Sequence, residues 1–105
     1  MAAIYVLVSL WVREGQESGF ESYERKVSRI MARHGGAIER VIRRSSRASD
    51  QVDEPFEVHV LRFASREQYD AFRSDPDRGA LAAERAGLIT RTEVMVGTEG
   101  PTYAD

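Results

Sequence analysis

The chain has no cysteine, only three prolines, a single tryptophan, and no apolar run long enough to span a bilayer. Without a thiol there is no disulfide framework, no cysteine nucleophile and no zinc–thiolate site, a usage compatible with a reducing compartment and hence with the cytoplasm. Charge of one sign is not in excess either: 15 Lys and Arg face 17 Asp and Glu, a net −2. That balance argues against a whole-domain electrostatic footprint for nucleic acid. Glycine-rich phosphate loops, a Gly-x-Ser-x-Gly elbow and a Ser/His/Asp spacing are also missing, so neither a nucleotide cofactor nor a hydrolase triad is expected. The two histidines, His34 and His59, stand in no HxH or HxxxH cluster, so no metal site is expected within one chain. What remains, 105 residues of which 42% are hydrophobic, fits one small domain. A domain of this size buries about 65% of its unfolded surface, which leaves part of its stability open to a partner subunit.

The apolar residues are arranged in two periods. From Ala2 to Val12 nearly every residue is apolar, many of them β-branched or aromatic, which reads as a strand covered on both faces and as neither signal peptide nor membrane span. Its even positions, Ile4 to Val12, are uniformly aliphatic, while Tyr5, Leu7, Ser9 and Trp11 share the other face. Ser18-Gly19-Phe20-Glu21 has the form of a capping box and predicts a helix start. Phe20, Tyr23, Val27, Ile30, Met31 and His34 then form one helical stripe, stopped by Gly35 and Gly36. Alternation returns from Ala37 to about Ser45, with Ile38 and Ile42 interleaved with charge, and again in Pro55–Phe63. The polar segment Ser45–Glu54 joins these two strands as a surface loop. Ser65-Arg66-Glu67-Gln68 opens a second, shorter helix, Asp75-Pro76 restarts a turn that runs to Gly87, and Leu88–Val96 alternates as a fourth strand. The order β-α-β-β-α-β predicts a ferredoxin-like plait, an α+β fold with a four-stranded antiparallel sheet and both helices on one face. The domain spans 1–97, with 98–105 as a C-terminal tail.

The stretch PFEVHVLRFASREQYDAFRSDPDRGALAAERAGLITRTEVMVG, with its strand ending at Arg62-Phe63, its Ser65-capped helix, Asp75-Pro76-Asp77, Leu81 and Arg85, resembles the dimeric α+β barrel superfamily. Within it, the chain is similar to the small single-domain proteins of uncharacterised function. The resemblance implies a homodimer in which two plaits join their bare sheet faces. It also implies a choice among many chemistries, since members include cofactor-independent monooxygenases, haem-degrading enzymes, isomerases, dye-decolourising peroxidases and proteins without known activity. No catalytic residue is carried over from them.

The residues themselves offer a modest inventory. His59, mid-strand, is the acid–base candidate, set against the plainer reading of a hydrogen-bonded sheet histidine. Tyr5, Ser9, Trp11, Tyr23 and Tyr69, with Asp77, supply phenol, hydroxyl, indole and carboxylate groups for a largely apolar pocket, and Arg62 is the arginine expected to fix an anionic group. Arg62 points away from His59 unless a bulge precedes Phe63. His34 ends the first helix, where its charge suits the helix carboxyl end. Residues 21–47 hold eight basic and three acidic side chains, net +5, and 48–105 hold six basic and twelve acidic, net −6. The Arg40, Arg43, Arg44 and Arg47 cluster is therefore expected to meet the acidic half of the same or the partner subunit in salt bridges. RNA binding is the weaker use of that cluster, because Glu57, His59 and Leu61 stand where an RNA-recognition motif needs stacking rings. The leading expectation is a cytoplasmic homodimer that binds a small metabolite or acts on it as a monooxygenase or isomerase, with no cofactor. Its rival is a non-catalytic structural or regulatory dimer.

Overall fold

A computed structural model describes residues 2–45 and 53–104. It contains β1 (Ile4–Val12), α1 (Glu17–Arg33), β2 (Gly36–Arg43), β3 (Glu57–Phe63), α2 (Arg66–Arg73), α3 (Pro76–Gly79), α4 (Ala82–Leu88) and β4 (Ile89–Gly97). The strands form one sheet in the order β2-β3-β1-β4, antiparallel at every pairing. This is the expected plait, with the second crossover broken into three short helices. No described helix is long and apolar enough to cross a membrane.

The core lies between α1 and one face of the sheet. Ile4, Val6 and Leu10 of β1 and Leu61 and Phe63 of β3 pack against Phe20, Tyr23, Val27, Ile30 and Met31, the helical stripe read from the sequence. Phe63, fully buried, carries Tyr69 and Phe72 of α2 at ring-centroid distances of 5.3 and 5.5 Å. α1 stops where Gly35 turns left-handed (φ 71°), and Gly36 lies so close to Phe63 and Met31 that a methyl group there would overlap both.

Ser65 caps α2 by accepting from the Gln68 amide (3.2 Å), and Asp75 caps α3 by accepting from that of Asp77 (2.8 Å) with Pro76 at the first helical position. Asp75 also anchors the end of α1, bonding His34 Nε2 at 2.7 Å and Arg33 at 3.1 Å. The Ser18 box does not form. α1 begins at Glu17 after Gln16, because Glu21, the carboxylate such a box requires, reaches instead toward Arg43 on β2 (3.1 Å). Leu88 closes α4 rather than opening β4, and its carbonyl accepts from the Arg13 amide (2.7 Å). Most of the expected loop, including Arg47, lies outside the described residues.

A register shift in β2 between Ile38 and Arg40 changes which side chains reach the helices. Ile38 pairs with Leu61 on the helix side, but after the shift it is Val41 and Arg43 that pair with His59 and Glu57. Ile42 is thereby turned to the bare face, so the two isoleucines expected to share a face are separated. The bare face also carries Tyr5, Leu7, Ser9, Trp11, Val58, Val60, Arg62 and Met95. Leu7, Ile42 and Met95 are 36%, 56% and 64% exposed.

Candidate active site between helix α1 and the sheet

Alternation along β3 places Glu57, His59, Leu61 and Phe63 on the helix side. A histidine and a glutamate two residues apart are therefore forced into the same buried layer. His59 is 4% and Glu57 5% exposed, and His59 Nε2 lies 2.7 Å from Glu57 Oε1. The second Glu57 oxygen accepts from Arg43 Nε at 2.6 Å, a bond made possible by the β2 register shift. On the other edge of the imidazole, Nδ1 stands 3.8 Å from Glu24 Oε2 on α1, an ion-pair distance too long for a direct hydrogen bond. His59 thus sits between two carboxylates, one fixed by Arg43 and the other on a helix.

Glu24 faces a cavity of about 140 Å³ bounded by β1, β3, β4, α1 and the α2–α4 segment. Its apolar wall includes Val6, Val8, Leu10, Val27, Met31, Phe72 and Val94, and its polar groups are Tyr23, Glu24, His59, Tyr69, Thr92, Arg73, Arg78 and Arg85. A cavity of roughly 150 Å³ holds one benzene-sized ring. Burial raises the Glu24 carboxyl above its ordinary range, with His59 opposing the shift and Glu57 adding to it. Burial likewise raises the Tyr23 phenol, against the opposing Arg85 guanidinium. Beyond the His59 layer, Glu24, Glu57 and His59 also border an open groove with Glu21, Arg25, Ser28, Ile38 and Val41. The same pair is therefore bordered by the cavity on one side and by the groove on the other.

A family described as a domain of unknown function, DUF1330, matches residues 3–98. The chain belongs to this family. No curated protein matches it. Among solved structures it is similar to a protein of unknown function from Rhodopseudomonas palustris, at a TM-score of 0.79 and 13% identity over 95% of this chain and 84% of the other. It is also similar to SnoaB, a cofactor-independent oxygenase from Streptomyces nogalater (TM-score 0.72, 18% identity, 100% of both chains). A third likeness is to a dabb family protein with a ferredoxin-like fold from Mesorhizobium loti (TM-score 0.70, 13% identity, 96% of this chain and 100% of the other). At such identities the likeness speaks for the fold, and it agrees with the resemblance to the dimeric α+β barrel superfamily read from the sequence.

Of the site residues expected for this DUF1330 domain, the structure gathers His59, Tyr23 and Tyr69 at one cavity. Tyr5, Ser9, Trp11 and Arg62 are on the opposite face of the sheet and do not join them. The β1–β3 register is regular, so no bulge brings Arg62 round, and it pairs with Tyr5. Tyr5 borders a shallow hollow with Leu7, Val60, Met95 and Gly97. Trp11 donates its indole N–H to the Asp53 carbonyl (3.0 Å) and carries the Arg91 guanidinium 4.2 Å above its ring. Asp77 pairs with Arg33 (2.9 Å), away from the cavity. The expected pairing of the basic strand with the acidic half holds for Arg43 with Glu57, whereas its other partner, Glu21, belongs to the basic half itself. Glu24 escaped the sequence reading although its signal was present: four residues after Phe20 and three before Val27, it is a carboxylate on the buried stripe. Arg73, Arg78 and Arg85 had no such signal, since three short helices with two breaks decide where they point.

Proposed function

We propose that the protein is a cytoplasmic homodimer that binds a small, single-ring-sized metabolite in the cavity beneath α1, with Glu24 and His59 as a cofactor-independent acid–base pair. The observation that carries this reading is a buried histidine held between two carboxylates at the edge of a mostly apolar cavity. A carboxyl group perturbed by burial and lying in a cleft is a candidate functional group on physical grounds. In this arrangement Glu57 holds the imidazole, and Glu24 is placed to exchange a proton with a ligand in the cavity, with His59, 3.8 Å away, joined to it through a bridging water. Monooxygenase- or isomerase-like chemistry is the reaction class such a pair supports, and the likeness to a cofactor-independent oxygenase is in keeping with it. Dimerisation through the bare sheet face is favoured by the exposure of Leu7, Ile42 and Met95 beside Trp11.

A set of single-ring compounds titrated into the full chain, followed by methyl and aromatic NMR, tests the binding claim. Shifts are expected at Tyr23, Val27, Met31 and Val94, and not at Leu7 or Met95. A set that moves none of the cavity resonances leaves the non-catalytic structural dimer as the better reading.

A further inference from the structure

The cavity's charges do not balance. Arg73, Arg78 and Arg85 all border it, and Glu24 is the lone carboxylate among its lining residues. Burial favours the neutral form of that carboxyl, which deepens the imbalance. Arg73 has Asp70 at 3.8 Å. Among the described residues Arg78 and Arg85 have no carboxylate within ion-pair distance. Arg78 donates to the Arg73 carbonyl (3.2 Å) and lies 5.2 Å over the Phe72 ring, while Arg85 donates to Thr92 Oγ1. These contacts are to neutral groups, and Arg85 acts only at longer range on Glu24, whose carboxyl burial drives toward its neutral form. Cations held at the rim of an apolar space are stabilised by an anion that brings its own apolar body.

We propose that the ligand of this cavity is a small carboxylate built on a single ring, its ring against Val27, Phe72 and Val94 and its carboxylate on Arg78 and Arg85. The inference rests on reading the cavity as a ligand site. A carboxylate is favoured over a compact tetrahedral anion because the guanidinium fork matches two coplanar oxygens, and because the wall opposite the arginines is apolar. The cavity volume limits the body to one ring.

Benzoate and its neutral isostere benzamide, titrated into the full chain by calorimetry and NMR, decide the matter. Benzoate should bind at least about tenfold more tightly than benzamide, the worth of one charge-assisted hydrogen bond. Arg85→Gln and, separately, Arg78→Gln should each weaken benzoate more than benzamide and so reduce that preference, while unchanged methyl resonances of Val6 and Met31 in the free variants show that the cavity is intact. If both compounds bind at the cavity with equal affinity, the carboxylate inference is overturned and the ligand site stands. If neither binds, both are overturned. Preference for benzoate that survives in both variants removes the arginines from the role given them here.

Discussion

His59 and Glu57 stand two residues apart on β3, share a 2.7 Å hydrogen bond and are almost sealed from solvent. Glu57 is held from the other side by Arg43, so it is a buried carboxyl group with both oxygens engaged. Removing it leaves His59 and Arg43 facing an empty space. Glu57→Ala is expected to cost about 3 kcal/mol in urea unfolding, the usual penalty for deleting one partner of a buried pair. Glu57→Gln should cost clearly less, because its amide oxygen can still accept from Arg43 while its NH2 donates to the His59 ring nitrogen in the accepting tautomer. Equal losses for the two variants would show that packing and not hydrogen bonding holds the layer.

Glu24 makes a prediction of the opposite sign. Its carboxyl is raised in the folded protein by burial, so the folded chain binds this proton more readily than the unfolded one. The group therefore favours folding below its ordinary range and costs stability as pH rises through the raised value. Glu24→Gln removes the titration. The stability gap in favour of the variant should be widest near neutral pH and close as pH falls, in paired unfolding curves. A gap independent of pH would contradict the shift.

Gly36 and Gly79 form a matched pair. A methyl at Gly36 would meet Met31 Cγ at 2.7 Å and overlap the Phe63 ring, whereas Gly79 has open space around it. Gly36→Ala is expected to lose about 1–3 kcal/mol through overpacking, and Gly79→Ala to be neutral or slightly stabilising. Thermal unfolding of both variants checks the contrast.

The bare sheet face predicts oligomeric state. Light scattering on the 11.8 kDa chain should give twice that mass, persisting on dilution. Leu7→Lys and Met95→Lys, both on that face, should shift the mass toward one chain without loss of secondary structure. A monomeric native protein would free the face for another partner, with RNA the first to test.

Much of this architecture could be read directly from the residues, because two periodicities and a few end signals carry local information. The aliphatic even positions of β1, the stripe from Phe20 to Met31, the Ser65 and Asp75 caps and the Gly35 stop each depend on neighbours within about four residues. Alternation alone also placed Glu57 with His59. The Ser18 cap failed because its partner Glu21 is claimed by Arg43, a residue 22 positions away. The site was legible only in part for the same reason. Which face of β1 meets the helices, the shift in β2 that delivers Arg43 rather than its neighbours, and the aim of Arg78 and Arg85 all depend on contacts between distant segments. A one-residue change of register reverses every side chain beyond it, and short helices with breaks between them keep no fixed phase. Sequence by itself determined the elements and which residues share a face, whereas tertiary packing decided which of those faces became a cavity and which charges were left around it.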